Sequence, residues 1–244
     1  CTFLGGKGAD LGLAIDVDSS NNVFVTGCTV DTGVTDLPTT TGAYDEVHNG
    51  SVDVFVAKFN NTLTTLSAST FLGGSGSDEY GLGIVVDPSN NIFVTGRTDD
   101  AGTDLPTTGG AYDTTHNGSA DVFVAKFNNT LTTLSASMFL GGSGYDQGTG
   151  IALDGSNNVY VVGFTADAAT DLPTTTGAYD ETHNGSDDAF VSKFNDTLTT
   201  LIESTFLGGG GLDGAQAIYV DASNKMFVTG WATDVATDLP TTTG

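Results

Sequence analysis

Short apolar runs recur along the chain and alternate with clusters of Gly, Asn, Asp and Thr. Phe3, Phe71, Phe139 and Phe206 each open the segment Phe-Leu-Gly-Gly, so the successive spacings are 68, 68 and 67 residues. A fixed period of this size indicates a repeat architecture. We predict a single repeat array over residues 1–244. Its units are approximately 2–69, 70–137, 138–204 and 205–244, the last one truncated.

Each unit contains four segments with the character of β-strands. A short apolar segment such as Leu82–Val86 ends at an Asp that opens a turn, and Ile92–Thr95 completes a hairpin. The third segment, Asp53–Phe59, is apolar on both faces, which indicates burial on both faces. The fourth, Thr65–Leu72, alternates apolar and small polar residues, as suits the outer edge of a sheet. No helical periodicity of useful length is present.

This pattern predicts an all-β fold, a β-propeller-like array of four-stranded antiparallel blades with about 68 residues per blade. Three blades are complete and one is incomplete. Stacked blades provide the environment in which a strand is buried on both faces.

Several separated motifs recur in fixed order, most clearly in residues 71–128. They are Phe-Leu-Gly-Gly-Ser-Gly-x-Asp, Gly-Ile-x-Val-Asp, Asn-Asn-Ile-Phe-Val-Thr-Gly, Asp-Leu-Pro-Thr-Thr and Asp-Val-Phe-Val-Ala-Lys-Phe-Asn. In this order they resemble the SBBP-type repeat of seven-bladed β-propellers. The resemblance implies a propeller-like fold and an extracellular location, and it implies no catalytic residues. The chain departs from the family's seven blades because it has fewer than four units.

The two ends of the array also differ from the repeat. The last unit stops before its third strand, and Thr2–Leu4 match a fourth strand whose unit lacks its beginning. Unpaired strand edges favour pairing with another chain. We therefore expect either a segment of a longer array or a subunit completed by a neighbour, since a simple monomer leaves a raw edge.

The charge balance narrows the classes of partner. Asp and Glu number 30 against 6 Lys and Arg, which gives a net charge of −24. Such a chain repels nucleic-acid phosphates and anionic membrane surfaces. No apolar run approaches the roughly 18 residues of a spanning helix, so we expect no membrane insertion. The acidity suits a soluble surface, a saline medium or a calcium-rich one.

The two cysteines, Cys1 and Cys28, lie outside the repeat pattern, because the other units have different residues at both positions. Two cysteines alone cannot build a zinc site. They are candidates for a disulfide with each other or with another chain.

Asn-x-Ser/Thr triplets recur at two positions of the repeat. They make six residues candidates for N-glycosylation: Asn49, Asn60, Asn117, Asn128, Asn184 and Asn195. The alternative is that Asn-Gly and Asn-Asn are turn residues copied with the repeat.

Acidic residues recur before the Leu-Pro of each long loop. They are candidate calcium ligands: Asp31, Asp36, Asp99, Asp104, Asp167, Asp171, Asp234 and Asp238. Calcium takes six to eight oxygen ligands, which carboxylates and backbone carbonyls supply. The spacing is not that of an EF-hand, and turn formation and solubility are the alternative explanation. Calcium is the only cofactor suggested.

His48, His116 and His183 occupy one repeat position, whereas a catalytic histidine normally occurs once with specific partners. No nucleophile elbow, zinc-protease motif or P-loop is present. We therefore expect a non-enzymatic extracellular structural or adhesive protein, part of a surface layer, fibre or filament. Its partners are copies of itself or further repeats. The alternative is a carbohydrate-binding propeller in which Tyr44, Tyr112 and Tyr179 stack on glycans. The same tyrosines equally suit a role as loop anchors that pack inward.

Overall fold

The structure of the chain is a computed structural model that describes residues 1–30, 37–76, 78–99, 105–166 and 172–233. All regular secondary structure in these ranges is β-strand. No helix long and apolar enough to cross a membrane occurs among the residues so described.

The strands form three antiparallel sheets of four strands and one hairpin of two. In each four-stranded sheet the strands lie side by side in chain order. The first blade contains β1 Ala9–Val17, β2 Val23–Val30, β3 Asp53–Phe59 and β4 Leu66–Leu72. The second contains β5 Glu79–Val86, β6 Ile92–Thr98, β7 Asp121–Phe127 and β8 Leu134–Leu140. The third contains β9 Asp146–Leu153, β10 Val159–Thr165, β11 Asp188–Phe194 and β12 Leu201–Leu207. The fourth has β13 Asp213–Val220 and β14 Met226–Ala232.

The predicted all-β fold of four-stranded antiparallel blades is therefore confirmed. The third strand has the predicted bounds, and β3 is buried on both faces as expected. The first and second strands are longer than predicted, because they continue past a β-bulge between Gly81 and Gly83. Opposite this bulge, a Cβ on Gly96 would collide with the carbonyl oxygen of Tyr80, so the hairpin needs glycine there.

The turn that joins the first two strands of each blade is built by one Asp. In the second blade Asp87 Oδ1 accepts the backbone N–H groups of Ser89 and Asn91 at 2.8 and 2.7 Å. Asn90 adopts a positive φ of 64°, which Asn tolerates better than most residues. The same turn recurs at Asp18, Asp154 and Asp221.

Successive blades stack face to face, and the core lies between them. β5 packs against β1, β2 and β3, and the later junctions repeat this arrangement. One apolar cluster joins Phe24 and Val54 of the first blade to Ile84 and Ile92 of the second. An equivalent cluster joins Phe93 of the second blade to Ile151 of the third. Each fully buried Phe or Ile contributes roughly 1.5–3 kcal/mol, so the junctions are major sources of stability.

Candidate functional site

The long loop between the second and third strands closes the outer edge of each of the first three blades. The Thr40 N–H donates to the carbonyl of Ser69 in β4 at 3.1 Å, and Thr40 Oγ1 accepts the Ser69 N–H at 3.0 Å. Further along, the Phe71 N–H donates to the carbonyl of Asp45. The second and third blades repeat these bonds through Thr108 and Thr175. Because the loop occupies these hydrogen-bonding groups, the fourth strand of each of these blades is a poor template for edge-to-edge pairing with another chain.

In the first and second blades the same loop also fastens the blade to the next one. The Tyr44 N–H donates to the carbonyl of Leu131 in the second blade at 2.8 Å, and the Tyr44 ring meets Phe127 edge-on at 5.7 Å. Tyr112 makes the equivalent contacts with Leu198 and Phe194 of the third blade. The predicted sugar-stacking tyrosines of the first two loops are therefore engaged in contacts between blades.

Tyr179, the third tyrosine of the set, has no such partner among the described residues and is 65% exposed. It lines a cleft of about 410 Å³ together with Tyr160, Lys193 and Met226. In the first and second blades, the tyrosine at this repeat position contacts the third strand of the next blade. The cleft lies at the equivalent place beside the third blade.

The first and last described blades expose the two halves of one junction. Ile15 in β1 is 67% exposed, whereas Ile84 at the same position of β5 is 7% exposed. On the opposite side of the stack, Phe227 in β14 is 55% exposed, whereas its equivalent Phe24 is fully buried. Phe24 and Ile84 pack together in one apolar cluster. Phe227 and Ile15 occupy the same two repeat positions, and among the described residues neither has the packing partner that Phe24 and Ile84 provide for each other.

The three histidines hold the loop to its own blade. Nε2 of His48, His116 and His183 lies 3.2–3.3 Å from the carbonyl oxygens of Thr29, Thr98 and Thr165. Each ring also packs edge-on against a phenylalanine of the fourth strand. Three equivalent environments indicate a structural role for this position.

Buried carboxylates form pairs at the junctions, and sequence reasoning did not single them out. Asp121, the first residue of β7, faces Asp146, the first residue of β9. A Cβ on Gly141 would lie 2.6 Å from Asp146 Oδ2 and 3.1 Å from Asp121 Cγ. The equivalent pairs are Asp53 with Glu79 and Asp188 with Asp213, and all six side chains are buried. The sequence did carry a signal for these pairs, namely an Asp at the first position of an otherwise apolar strand.

Burial raises the pKa of Asp53, Asp121 and Asp188 above the usual aspartate value. Donation by loop N–H groups and the nearby histidine oppose this shift in each case. For example, Asp121 Oδ2 accepts the N–H of Asn117 at 3.1 Å and Oδ1 that of Gly118 at 3.2 Å. The pairs therefore tie the loop, the third strand and the next blade together.

The six Asn-x-Ser/Thr sites fall into two environments. Asn49, Asn117 and Asn184 are exposed in the long loop. Asn60, Asn128 and Asn195 are half-buried, and their side-chain oxygens accept backbone N–H groups of the turn that follows the third strand. The second environment matches the predicted turn role. Glycosylation stays a prediction, and the first three sites are the more accessible ones.

Of the predicted calcium ligands, only Asp99 lies in the described part of the chain. Asp31, Asp36, Asp104, Asp167, Asp171, Asp234 and Asp238 lie outside it. Asp99 pairs with Arg97 at 3.6 Å. Across the described ranges, no three His, Cys, Asp or Glu side chains come together in a way that could hold a metal. Calcium binding by these loop residues stays a prediction.

Cys1 and Cys28 are both free thiols. Cys1 is exposed, and Cys28 is buried in β2, so no disulfide joins them in this structure. A disulfide from Cys1 to another chain stays a prediction.

Comparison with known proteins supports the blade assignment. A family model described as SBBP, beta-propeller repeat, matches residues 69–102 and 140–166. Each segment covers the glycine-rich loop that enters a blade together with that blade's first two strands. A search of curated proteins finds no match. The predicted resemblance is confirmed at these two segments, and the chain is a repeat-based β protein that is similar there to the SBBP-type β-propeller repeat.

Proposed function

We propose that this chain is a non-enzymatic structural protein of the cell exterior. Its blades stack face to face on further blades of the same type, in a surface layer, fibre or filament. The observation that carries the proposal is the exposure of Ile15 on one face of the stack and of Phe227 on the other. The partner is a second copy or further repeats of the same chain.

The stacking mode is repeated within the chain. The β1–β5, β5–β9 and β9–β13 junctions use the same elements. An interface between different surfaces of identical units is heterologous, so it generates a closed ring or an open filament according to the rotation between units. The closed outer edges favour growth through the faces rather than through the sides of the blades.

The extracellular location rests on other features. The net charge of −24 keeps a protein soluble in saline or calcium-rich media. Three Asn-x-Ser sites stand exposed on the loops.

Complementary face variants test the assembly. Ile15→Asp blocks the β1 face and Phe227→Asp blocks the β14 face, because each puts a charge into an apolar junction. Wild-type protein should show association in sedimentation velocity and rings or filaments in negative-stain electron microscopy. Each variant alone should be monomeric, and an equimolar mixture should give only 1:1 dimers, since each variant retains one intact face.

Val47→Asp is the matched control, because Val47 is exposed and lies outside the strands that form the junctions. It should assemble like the wild type. A wild-type chain that stays monomeric at high concentration, or a variant mixture that does not pair, would refute assembly through these faces.

The alternative function is carbohydrate binding at the cleft beside Tyr179. An exposed tyrosine ring next to Lys193 and Glu203 offers stacking and polar contacts to a sugar. A glycan array with a hit that Tyr179→Ala abolishes would favour this alternative, and an array without hits would remove it.

A further inference from the structure

The third blade junction contains two buried carboxylates that accept few hydrogen bonds. Asp188 opens β11 and is fully buried, and Asp213 opens β13 and is 2% exposed. Oδ2 of each accepts a backbone N–H, from Asn184 and Gly209 respectively, at 2.8 Å. Asp213 Oδ1 is buried and has no hydrogen-bond partner among the described residues. Asp188 Oδ1 is also buried, and the Gly185 N–H approaches the Asp188 carboxylate without good hydrogen-bond geometry. Two buried carboxylates with so few donors need a countercharge or a further donor.

The backbone places these two carboxylates side by side. Asp187 and Leu212 form a parallel bridge, and the Asp213 N–H donates to the Asp187 carbonyl at 2.8 Å. Asp188 and Asp213 each follow one residue later. Residues in register on adjacent parallel segments point to the same side. The Asp213 charge accordingly adds to burial in raising the pKa of Asp188.

Backbone carbonyl oxygens approach the same place. A Cβ on Gly185 would collide with the carbonyl oxygen of Gly211, and it would lie 2.6 Å from that of Gly209 and 2.9 Å from Asp188 Oδ1. The Gly211 oxygen accepts one N–H, from Ser186, and retains a second lone pair. Carboxylate and carbonyl oxygens therefore lie together around this part of the junction.

One substitution sets this junction apart from the earlier blades. In the first blade Thr29 Oγ1 donates to Asp10 Oδ1 at 2.6 Å, and in the second Thr98 Oγ1 donates to Glu79 Oε1 at 3.4 Å. The residue paired with Asp213 is Ala232, which has no hydroxyl. The donor that serves the first-strand carboxylate in those blades is thus missing at Asp213.

We propose that Asp188 and Asp213 bind a divalent cation of the calcium type, with the carbonyl oxygens of Gly209 and Gly211 as further ligands. Mixed carboxylate and carbonyl donors without imidazole or thiolate suit a hard cation. The cation would join the third blade to the fourth, because one carboxylate comes from each. This site is separate from the loop aspartates before the Leu-Pro motifs.

Terbium luminescence is a specific probe for this junction. Trp231 is the only tryptophan of the chain. Its indole atoms lie 2.6–2.9 Å from the position of a Cβ on Gly214, the residue that follows Asp213, so the ring is next to the proposed site. Tb³⁺ bound between the carboxylates should give saturable emission on excitation of Trp231, and Ca²⁺ should displace it. Calcium should also raise the thermal midpoint of the wild-type chain relative to EDTA.

Asp188→Asn and Asp213→Asn should each weaken terbium and calcium binding by about tenfold or more, because the charge of the ligands sets the affinity. Both should also raise the midpoint in EDTA, since an amide N–H₂ donates to the neighbouring carboxylate. Glu203→Gln, an equal charge change at an exposed position of β12, should bind like the wild type.

Absence of saturable emission, or emission unchanged in both Asn variants, would overturn the site. So would a wild-type midpoint that does not respond to calcium. If the Asn variants do not fold, Ala232→Thr decides. Its hydroxyl should satisfy Asp213 and weaken calcium binding, and an unchanged affinity would refute the proposal.

Discussion

The contact between Tyr112 and the third blade allows a quantitative test of how the long loop fastens blades. Tyr112→Ala removes the ring that meets Phe194 edge-on at 5.5 Å, and it leaves the bond from the residue 112 N–H to the Leu198 carbonyl in place. Tyr179→Ala is a control from the same chain, because it removes the same side chain at the same repeat position where no following third strand is described.

The expected difference follows from the burial of the two rings. Tyr112 is 37% exposed and Tyr179 is 65% exposed. For a side chain that buries about 200 Å² this difference is roughly 55 Å², or about 1.4 kcal/mol at about 25 cal/mol per Å². The edge-on ring contact adds about 0.5–1.5 kcal/mol. Tyr112→Ala should therefore cost about 2–3 kcal/mol more than Tyr179→Ala.

Urea unfolding monitored by circular dichroism measures this difference, at a protein concentration where sedimentation shows monomers. Tyr44→Ala should behave like Tyr112→Ala, since Tyr44 makes the same contacts one blade earlier. The reasoning fails if Tyr179→Ala costs as much as Tyr112→Ala in the monomer, or if neither substitution costs more than about 0.5 kcal/mol, the range of neutral surface changes.

Three further predictions address the hairpins, turns and buried carboxylates. Gly163→Ala should destabilise the chain by about 3 kcal/mol or more, because the added Cβ would collide with the Gln147 carbonyl oxygen. Thermal denaturation measures this loss, and Gly110→Asn, at an exposed position with open space around it, is the control. Asp154→Ala should cost about 2–3 kcal/mol in urea, since Asp154 Oδ1 accepts the N–H groups of Ser156 and Asn158, and an unchanged midpoint would contradict this role. Burial raises the pKa of Asp53, Asp121 and Asp188, so the folded state holds protons on these groups more tightly than the unfolded state does. The free energy of unfolding should therefore rise as the pH falls from the raised pKa values towards 3.8. Asp121→Asn should reduce this slope in a series of thermal midpoints, and an equally steep profile in the variant would contradict it.

The sequence predicted the strands well because their signals are local. Asp53–Phe59 is apolar on both faces, and its bounds as β3 matched the prediction. Glu79 to Gly81 were left out of the predicted first strand, because glycines at a bulge weaken the pattern of a strand. The repeat itself predicted the number of blades that the described strands form.

The contacts of the long loop depend on residues far apart along the chain, which periodicity does not encode. Thr40 bonds to Ser69 in its own blade, and Tyr44 contacts Phe127 in the next one. The sequence alone left Tyr44 between a sugar platform and a loop anchor, and only the stacking of blades assigns it to the second role. The pairing of Asp188 with Asp213 was missed for the same reason, since the two residues belong to different repeats.

Because the blade junctions are built alike, the gene can gain or lose whole units during evolution without disturbing the fold. Every unit carries both complementary surfaces, an isoleucine side such as Ile84 and an aromatic side such as Phe93, so a unit duplicated in the gene arrives with contacts that already fit its neighbours. Whole-unit gain or loss therefore preserves every interface. A substitution within one unit, such as Ala232 where the earlier blades have threonine, is then the means by which a single copy acquires chemistry that the others lack.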